Sequence, residues 1–334
     1  MAKASFMGCM TSQLSDAEMT SLEEAVKENA LSRLENLLET LPVTAEDLNR
    51  KHLVHQAAWL GYPRCVKLLL SHGASPDLVH RKNGCTAIHL AHLCQVEDTN
   101  PAPTIQSLVE AGASVNNPGS HKCSRHAIDH AIQHQRLDSV QALIGVGSKV
   151  TLSSILISID VANPQILETM LLAGGDCGEL LETVGYWGQP LHRVMYAPYK
   201  CPKECYKQMF QILVQSTVCR PLRKLRKAAS NIQINIETEL RNLAKHSTEL
   251  TLYLFTFLVR NGFPLGESIK SYITSISSNA DWITSYLSTP LTLREFCVRV
   301  LRSHLYRTGN ISYGVLLLNP PPRIRNLVMM YNPY

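Results

Sequence analysis

Apolar residues recur along this chain at helical spacing, in short blocks that end in glycine. Leu22, Ala25 and Val26, followed by Leu34, Leu37 and Leu38, form two stripes in residues 20 to 38. Spacings of three and four place each stripe on one side of a 3.6-residue helix, so the segment is predicted to be a helical pair. Leu69-Leu70-Ser71-His72-Gly73-Ala74, Val109-Glu110-Ala111-Gly112-Ala113 and Leu171-Leu172-Ala173-Gly174-Gly175 each set a glycine just past an apolar stripe. A helix that ends in a left-handed residue selects glycine there. Leu143-Ile144-Gly145-Val146-Gly147 and Leu258-Val259-Arg260-Asn261-Gly262 are looser copies. The pattern predicts an all-α fold of stacked helical pairs with no substantial β-sheet.

The helix openings recur as well. Thr86-Ala87-Ile88-His89-Leu90-Ala91 and Gln189-Pro190-Leu191-His192 share one form, and Leu53-Val54-His55-Gln56-Ala57-Ala58 is a third, looser copy. His55 and His89 stand 34 positions apart, whereas the next equivalent position, Asp129, lies 40 further on. The extra length falls in the Pro-containing stretch Glu97 to Thr104, which is predicted to be a loop extension between two helices.

These openings and endings, at a period of about 33 residues, resemble ankyrin repeats. The resemblance implies a solenoid of about seven repeats, with residues 1–19 as a tail, 20–216 as repeats, and 217–289 as degenerate helical repeats. One repeat cannot bury its apolar face alone, and stacking leaves a concave surface where partners are held. In the family, the two positions after the Ala-Ala of the inner helix face that surface. Here they are Trp59 and Leu60, Leu93 and Cys94, Gln133 and His134, and Tyr196 and Ala197. Trp59, Leu60, Leu93, His134 and Tyr196 are the substrate-binding candidates, since large amphipathic groups make hot spots. Core packing between repeats is the alternative reading of each aromatic.

Near the C-terminus, Leu293, Cys297 and Leu301 fall in one helical row. Thr292 with Glu295 three residues later forms a capping box, and Leu291 can staple onto Phe296. The row reads either as the last amphipathic helix of the fold or as a ridge that fills a groove on another protein. Pro320-Pro321-Pro322 then removes three backbone donors and fixes an extended segment. Residues 290 to 334 resemble a SOCS box, a small three-helix module that binds adaptors of ubiquitin ligases. Thr292, Leu293, Cys297 and Leu301 match its elongin-binding motif position by position, and Leu318, Pro321, Pro322, Arg323 and Ile324 match its cullin-contacting stretch. Asn319 stands where that stretch carries its first Pro, and Pro320 where it carries its second Leu.

The resemblance implies that Thr292, Leu293, Phe296, Cys297 and Leu301 bind elongin C, which brings elongin B. Leu318, Pro321, Pro322, Arg323 and Ile324 would bind a cullin of the cullin-five type with its RING protein. The chain is then expected to be a non-catalytic substrate receptor of an elongin–cullin–RING ubiquitin ligase that promotes ubiquitination and degradation of a protein held by the repeats. Two other readings stand beside it: an ankyrin scaffold without ligase function, and a receptor that binds elongins but engages no cullin.

Composition narrows the classes further. With 45% hydrophobic and 18% charged residues the chain can bury a large core and is not disordered. A net charge of +5 is what a solvated surface carries. The basic group Arg220, Arg223, Lys224, Arg226 and Lys227 reads as a charged outer helix face rather than a nuclear signal or a phosphate contact. No nucleic acid is expected. The longest strongly apolar run, Leu250 to Val259, is too short to cross a bilayer, so no membrane is expected either. Ten cysteines without a signal peptide point to a reducing compartment and free thiols, in the cytoplasm with the nucleus as second location. Cys201 and Cys205 lack a second pair of ligands at metal spacing, and no phosphate loop, paired carboxylates or nucleophile motif is present. No metal, no cofactor and no enzymatic activity are expected.

Overall fold

The computed structural model describes residues 14–93, 100–120, 122–175, 190, 193–194, 202–216, 237–260, 266–276, 301 and 321–322. All regular structure among them is helical, with no strand, and the stacked helical pairs are ankyrin repeats. The chain divides into two compact units, residues 1–149 and 150–334.

In the first unit the pairs are α1 (Asp16–Lys27) with α2 (Leu31–Thr40), α4 (Leu53–Leu60) with α5 (Pro63–Ser71), α6 (Ala87–Leu90) with α7 (Ala102–Glu110), and α8 (Ala127–Gln133) with α9 (Leu137–Gly145). A single 3-10 turn, Ala91–Leu93, extends α6, and a short helix α3 (Ala45–Arg50) sits ahead of α4. Helices α1, α4, α6 and α8 pack in succession as an inner layer, and α2, α5, α7 and α9 as an outer layer. Ala57, Ala91 and Ala131 occupy equivalent inner positions and are fully buried. A side chain of one carbon lets neighbouring helices approach at the short end of the usual interaxial range. Leu69, Leu108 and Leu143 fill the matching outer positions, also fully buried, each worth about 1.5–3 kcal/mol of transfer free energy.

Both helix ends of a repeat are closed in the same way. At the outer ends Ala74 N–H donates to Leu69 and Gly73 N–H to Leu70, and the same two bonds recur at Gly112–Ala113, Gly147–Ser148 and Gly174–Gly175. This doubly bonded ending needs a left-handed residue, and Gly112 takes φ +92° with nothing within 4 Å of a would-be Cβ. The inner ends use the same geometry, with Gly61 at φ 76° after α4 but Asn29, Gln135 and Ala162 at φ of 52°, 56° and 59° after α1, α8 and α10. At those three ends no glycine marks the left-handed residue in the sequence.

Helix α1 starts at Asp16, capped by Ser15 and Glu18, inside the stretch read as a tail. The expected loop extension at 97–104 also differs. Ala102, Pro103 and Thr104 are the first turn of α7, because a proline there lacks only an N–H that the helix would leave unpaired. Residues 97–99 lie outside the described residues.

The second unit contains α10 (Leu152–Asp160), α11 (Pro164–Leu172), α12 (Lys203–Ser216), a helical segment at 237–244, α13 (Thr248–Arg260) and α14 (Glu267–Ile276). Helix α12 packs on α11 and on α13. It buries Tyr206, Met209, Phe210, Leu213 and Val214. No helix is long and apolar enough to cross a membrane among the described residues.

Candidate functional site

Helix α6 opens on a histidine that caps it and ties it to the next repeat, whereas α1 is capped by Ser15 and Glu18 and α4 carries no side-chain cap. Thr86 donates its hydroxyl to His89 Nδ1 at 2.8 Å and its backbone N–H to the same atom at 3.3 Å. With Nδ1 accepting, the proton sits on Nε2, which donates to the carbonyl of Arg125 at 2.9 Å, in the hairpin of the next repeat. His55 makes the same bridge, with Nε2 3.3 Å from the carbonyl of Cys85. In the following repeat Asp129 takes the place of histidine, as the sequence alignment of the repeats predicted, and accepts from His126 N–H at 3.4 Å.

These anchored helices carry the predicted concave residues at their far ends. Trp59 and Leu60 are the last two residues of α4, Leu93 ends the 3-10 turn after α6, and His134 follows α8. Trp59 is equivalent to Leu93, and Leu60 to His134, on three inner helices that pack in succession. Trp59 is 37% exposed, Leu60 and Leu93 are half-buried, and His134 is exposed. The His134 ring lies 5.0 Å from the buried ring of His92. The face is therefore amphipathic, with one large indole at one end and an imidazole pair at the other.

The imidazoles of His55, His92 and His130 along these inner helices are neutral at neutral pH. Burial, reinforced by neighbouring imidazoles, holds His55 down to about 4 and His92 to about 3. His130 is likewise held at about 4, chiefly by burial. Desolvation disfavours the charged imidazolium, and like charges nearby add to the effect.

Tyr196, Thr292, Leu293, Phe296, Cys297, Leu318, Arg323 and Ile324 lie outside the described residues. Leu301 is helical and 45% exposed, and Pro321 and Pro322 are exposed. Of the two cysteines considered for metal and set aside, Cys205 donates its thiol to the carbonyl of Ala162 at 2.9 Å, and Cys201 lies outside the described residues.

One constellation escaped the sequence reading. Cys85, at the end of one hairpin, Cys123, in the next, and His130, on α8, bring their ligand atoms within 4.8 Å of one another. Cys85 Sγ is 3.1 Å from Cys123 Sγ, which is 3.1 Å from His130 Nε2. The available signal was that Cys85 directly precedes the opening Thr86 and Cys123 stands shortly before the opening His126, one repeat later.

The family model of ankyrin repeats, three copies, matches residues 54–154. No curated protein sequence matches the chain. Among solved structures, the chain is similar to the ankyrin repeat domain of Bcl-3, a member of the IkappaB protein family, at 17% identity and a TM-score of 0.45, over 58% of this chain and 85% of that one. It is similar to the human ASB11 ankyrin repeat domain at 19% identity and a TM-score of 0.45, over 62% of this chain and 89% of that one.

Proposed function

We propose that the chain is the substrate-recognition subunit of an elongin B/C–cullin–RING ubiquitin ligase. The observation that carries the reading is the pairing of two motifs in one short C-terminal stretch, Thr292-Leu293 with Cys297 and Leu301, then Leu318 with Pro321 to Ile324, behind an array of ankyrin repeats. Ankyrin repeats bind proteins through the surface that stacking leaves concave. The receptor itself does no chemistry. Holding a substrate lysine close to the charged ubiquitin carrier supplies effective concentration, and that is the whole of its catalytic contribution.

In this reading Leu293 and Cys297 enter a pocket on elongin C, Leu318 to Ile324 meet the cullin, and Trp59, Leu60, Leu93, His134 and Tyr196 meet the substrate. The test is co-purification of elongin C with the full chain and with Leu293→Ala, Cys297→Ala combined. Truncating buried anchors costs about 2–5 kcal/mol, so the double variant is expected to lose elongin C with the melting profile of the repeats unchanged. Elongin C retained at wild-type level by the folded double variant would favour an ankyrin scaffold without ligase function.

A further inference from the structure

The hairpins ahead of α6 and α8 meet tip to tip. Residues 80–85 close a tight turn in which Gly84 N–H donates to the His80 carbonyl and His80 N–H to the Cys85 carbonyl, each at 2.8 Å. The next hairpin docks on it through Ser120 N–H, which donates to the Gly84 carbonyl at 2.9 Å. The approach leaves no room for side chains. A Cβ on Gly119 would lie 2.8 Å from the Gly84 carbonyl oxygen and 3.1 Å from Cys123 Cβ, and one on Gly84 would run into Ser120 and Lys122. Two successive repeats thereby deliver one thiol each to the same point, and α8 delivers an imidazole.

From this juxtaposition we propose that Cys85, Cys123 and His130 form a zinc site that staples two adjacent hairpins. Two thiols and one imidazole are a soft donor set of the kind that selects zinc over magnesium or calcium. The three ligand atoms lie within 4.8 Å of one another. Tetrahedral ligands at zinc–sulfur bonds of about 2.3 Å sit about 3.8 Å apart, so the sulfurs, now 3.1 Å apart, separate by about 0.7 Å on binding, a shift that side-chain rotation supplies. His89 does not join, because both its ring nitrogens are engaged by Thr86 and Arg125. Its ring instead backs His130 edge-on at 5.7 Å.

Cys85 is buried, while Cys123 and His130 are half-buried. The fourth position therefore opens towards solvent and takes a water. Binding turns both thiols into thiolates, with their two protons leaving to solvent, and no oxidant or reductant is involved. The inference is independent of the ligase reading, since the site lies wholly within the hairpins and α8.

The test uses the full chain, reduced, stripped of metal by a chelator and dialysed, and then titrated with zinc against a chromophoric chelator. Wild-type chain is expected to hold one zinc per chain. Cys123→Ser and His130→Gln should each weaken binding by at least about tenfold, since loss of a ligand costs no less than loss of a partner behind one, while Cys205→Ser leaves it unchanged. Cobalt in place of zinc should show thiolate-to-metal charge transfer and tetrahedral d–d bands, with the charge-transfer intensity roughly halved in Cys123→Ser. Zinc taken up equally by Cys123→Ser and wild type would overturn the proposal. So would a wild-type cobalt spectrum without thiolate bands, or a Cys85–Cys123 disulfide that forms readily while the reduced chain takes no zinc. The wild-type spectrum decides even if a variant fails to fold.

Discussion

The His89 imidazole donates through Nε2 to the backbone carbonyl of Arg125, 2.9 Å away in the hairpin of the next repeat. With Thr86 holding Nδ1, one side chain caps its own helix and ties it to its neighbour. His89→Ala removes a cap and leaves the Arg125 carbonyl without this donor. A lost cap costs about 1 kcal/mol and a lost hydrogen bond about 0.5–1.5. The full chain is therefore expected to lose about 1.5–2.5 kcal/mol, read as a lower urea midpoint at unchanged slope. A loss under about 0.5 kcal/mol would show that the bridge contributes nothing net.

The left-handed endings give a paired test of backbone strain. Gly112 has open space where a Cβ would go, so Gly112→Ala meets no steric obstacle and changes only the local φ cost, about 1–2 kcal/mol destabilising. Ala162 already holds φ 59°, and Ala162→Gly should recover part of the same cost, about 0.5–1 kcal/mol stabilising after the entropy of a glycine is counted. Thermal melts of the two variants should move in opposite directions. Movement in the same direction would mean that something other than φ governs these ends.

Acid should loosen the first unit early. His55 at about 4 and His92 at about 3 titrate below the ordinary value of 6.5. The unfolded chain then binds more protons than the folded one between those values, and the stabilisation present above pH 6.5 is lost as pH falls. Between pH 7.5 and 5.5 the two together amount to about 2–3 kcal/mol. Urea unfolding at both pH values, with chelator present, measures the loss. His92→Leu should remove about 1–1.5 kcal/mol of the pH dependence, and an equal dependence in that variant would contradict the assignment.

Trp59 and Phe210 separate binding from packing. Trp59 is 37% exposed, whereas Phe210 is fully buried on α12. Trp59→Ala is expected to cost under about 1 kcal/mol of stability but about 2 kcal/mol or more of partner affinity. Phe210→Ala should cost about 3–5 kcal/mol of stability. A sharp fall in melting temperature for Trp59→Ala would make that indole core and move the binding face elsewhere.

The sequence by itself determined the helical pairs, the outer endings at Gly73, Gly112 and Gly174, and the equivalence of Asp129 with His89. All of these depend on interactions within about one turn of helix, so the residues that cause them stand next to one another in the chain. Only the tertiary structure decided that Gln135 and Ala162 take left-handed conformations, that Ala102 to Thr104 continue as helix, and that Trp59 stays exposed. In each case stacking overrode a weak local preference. The meeting of Cys85, Cys123 and His130 is of the same kind, because it depends on how closely one hairpin tip docks on the next, and the glycines that permit the approach are 35 positions apart. No spacing rule within a repeat encodes that distance; it is set when successive repeats bury their apolar faces against each other.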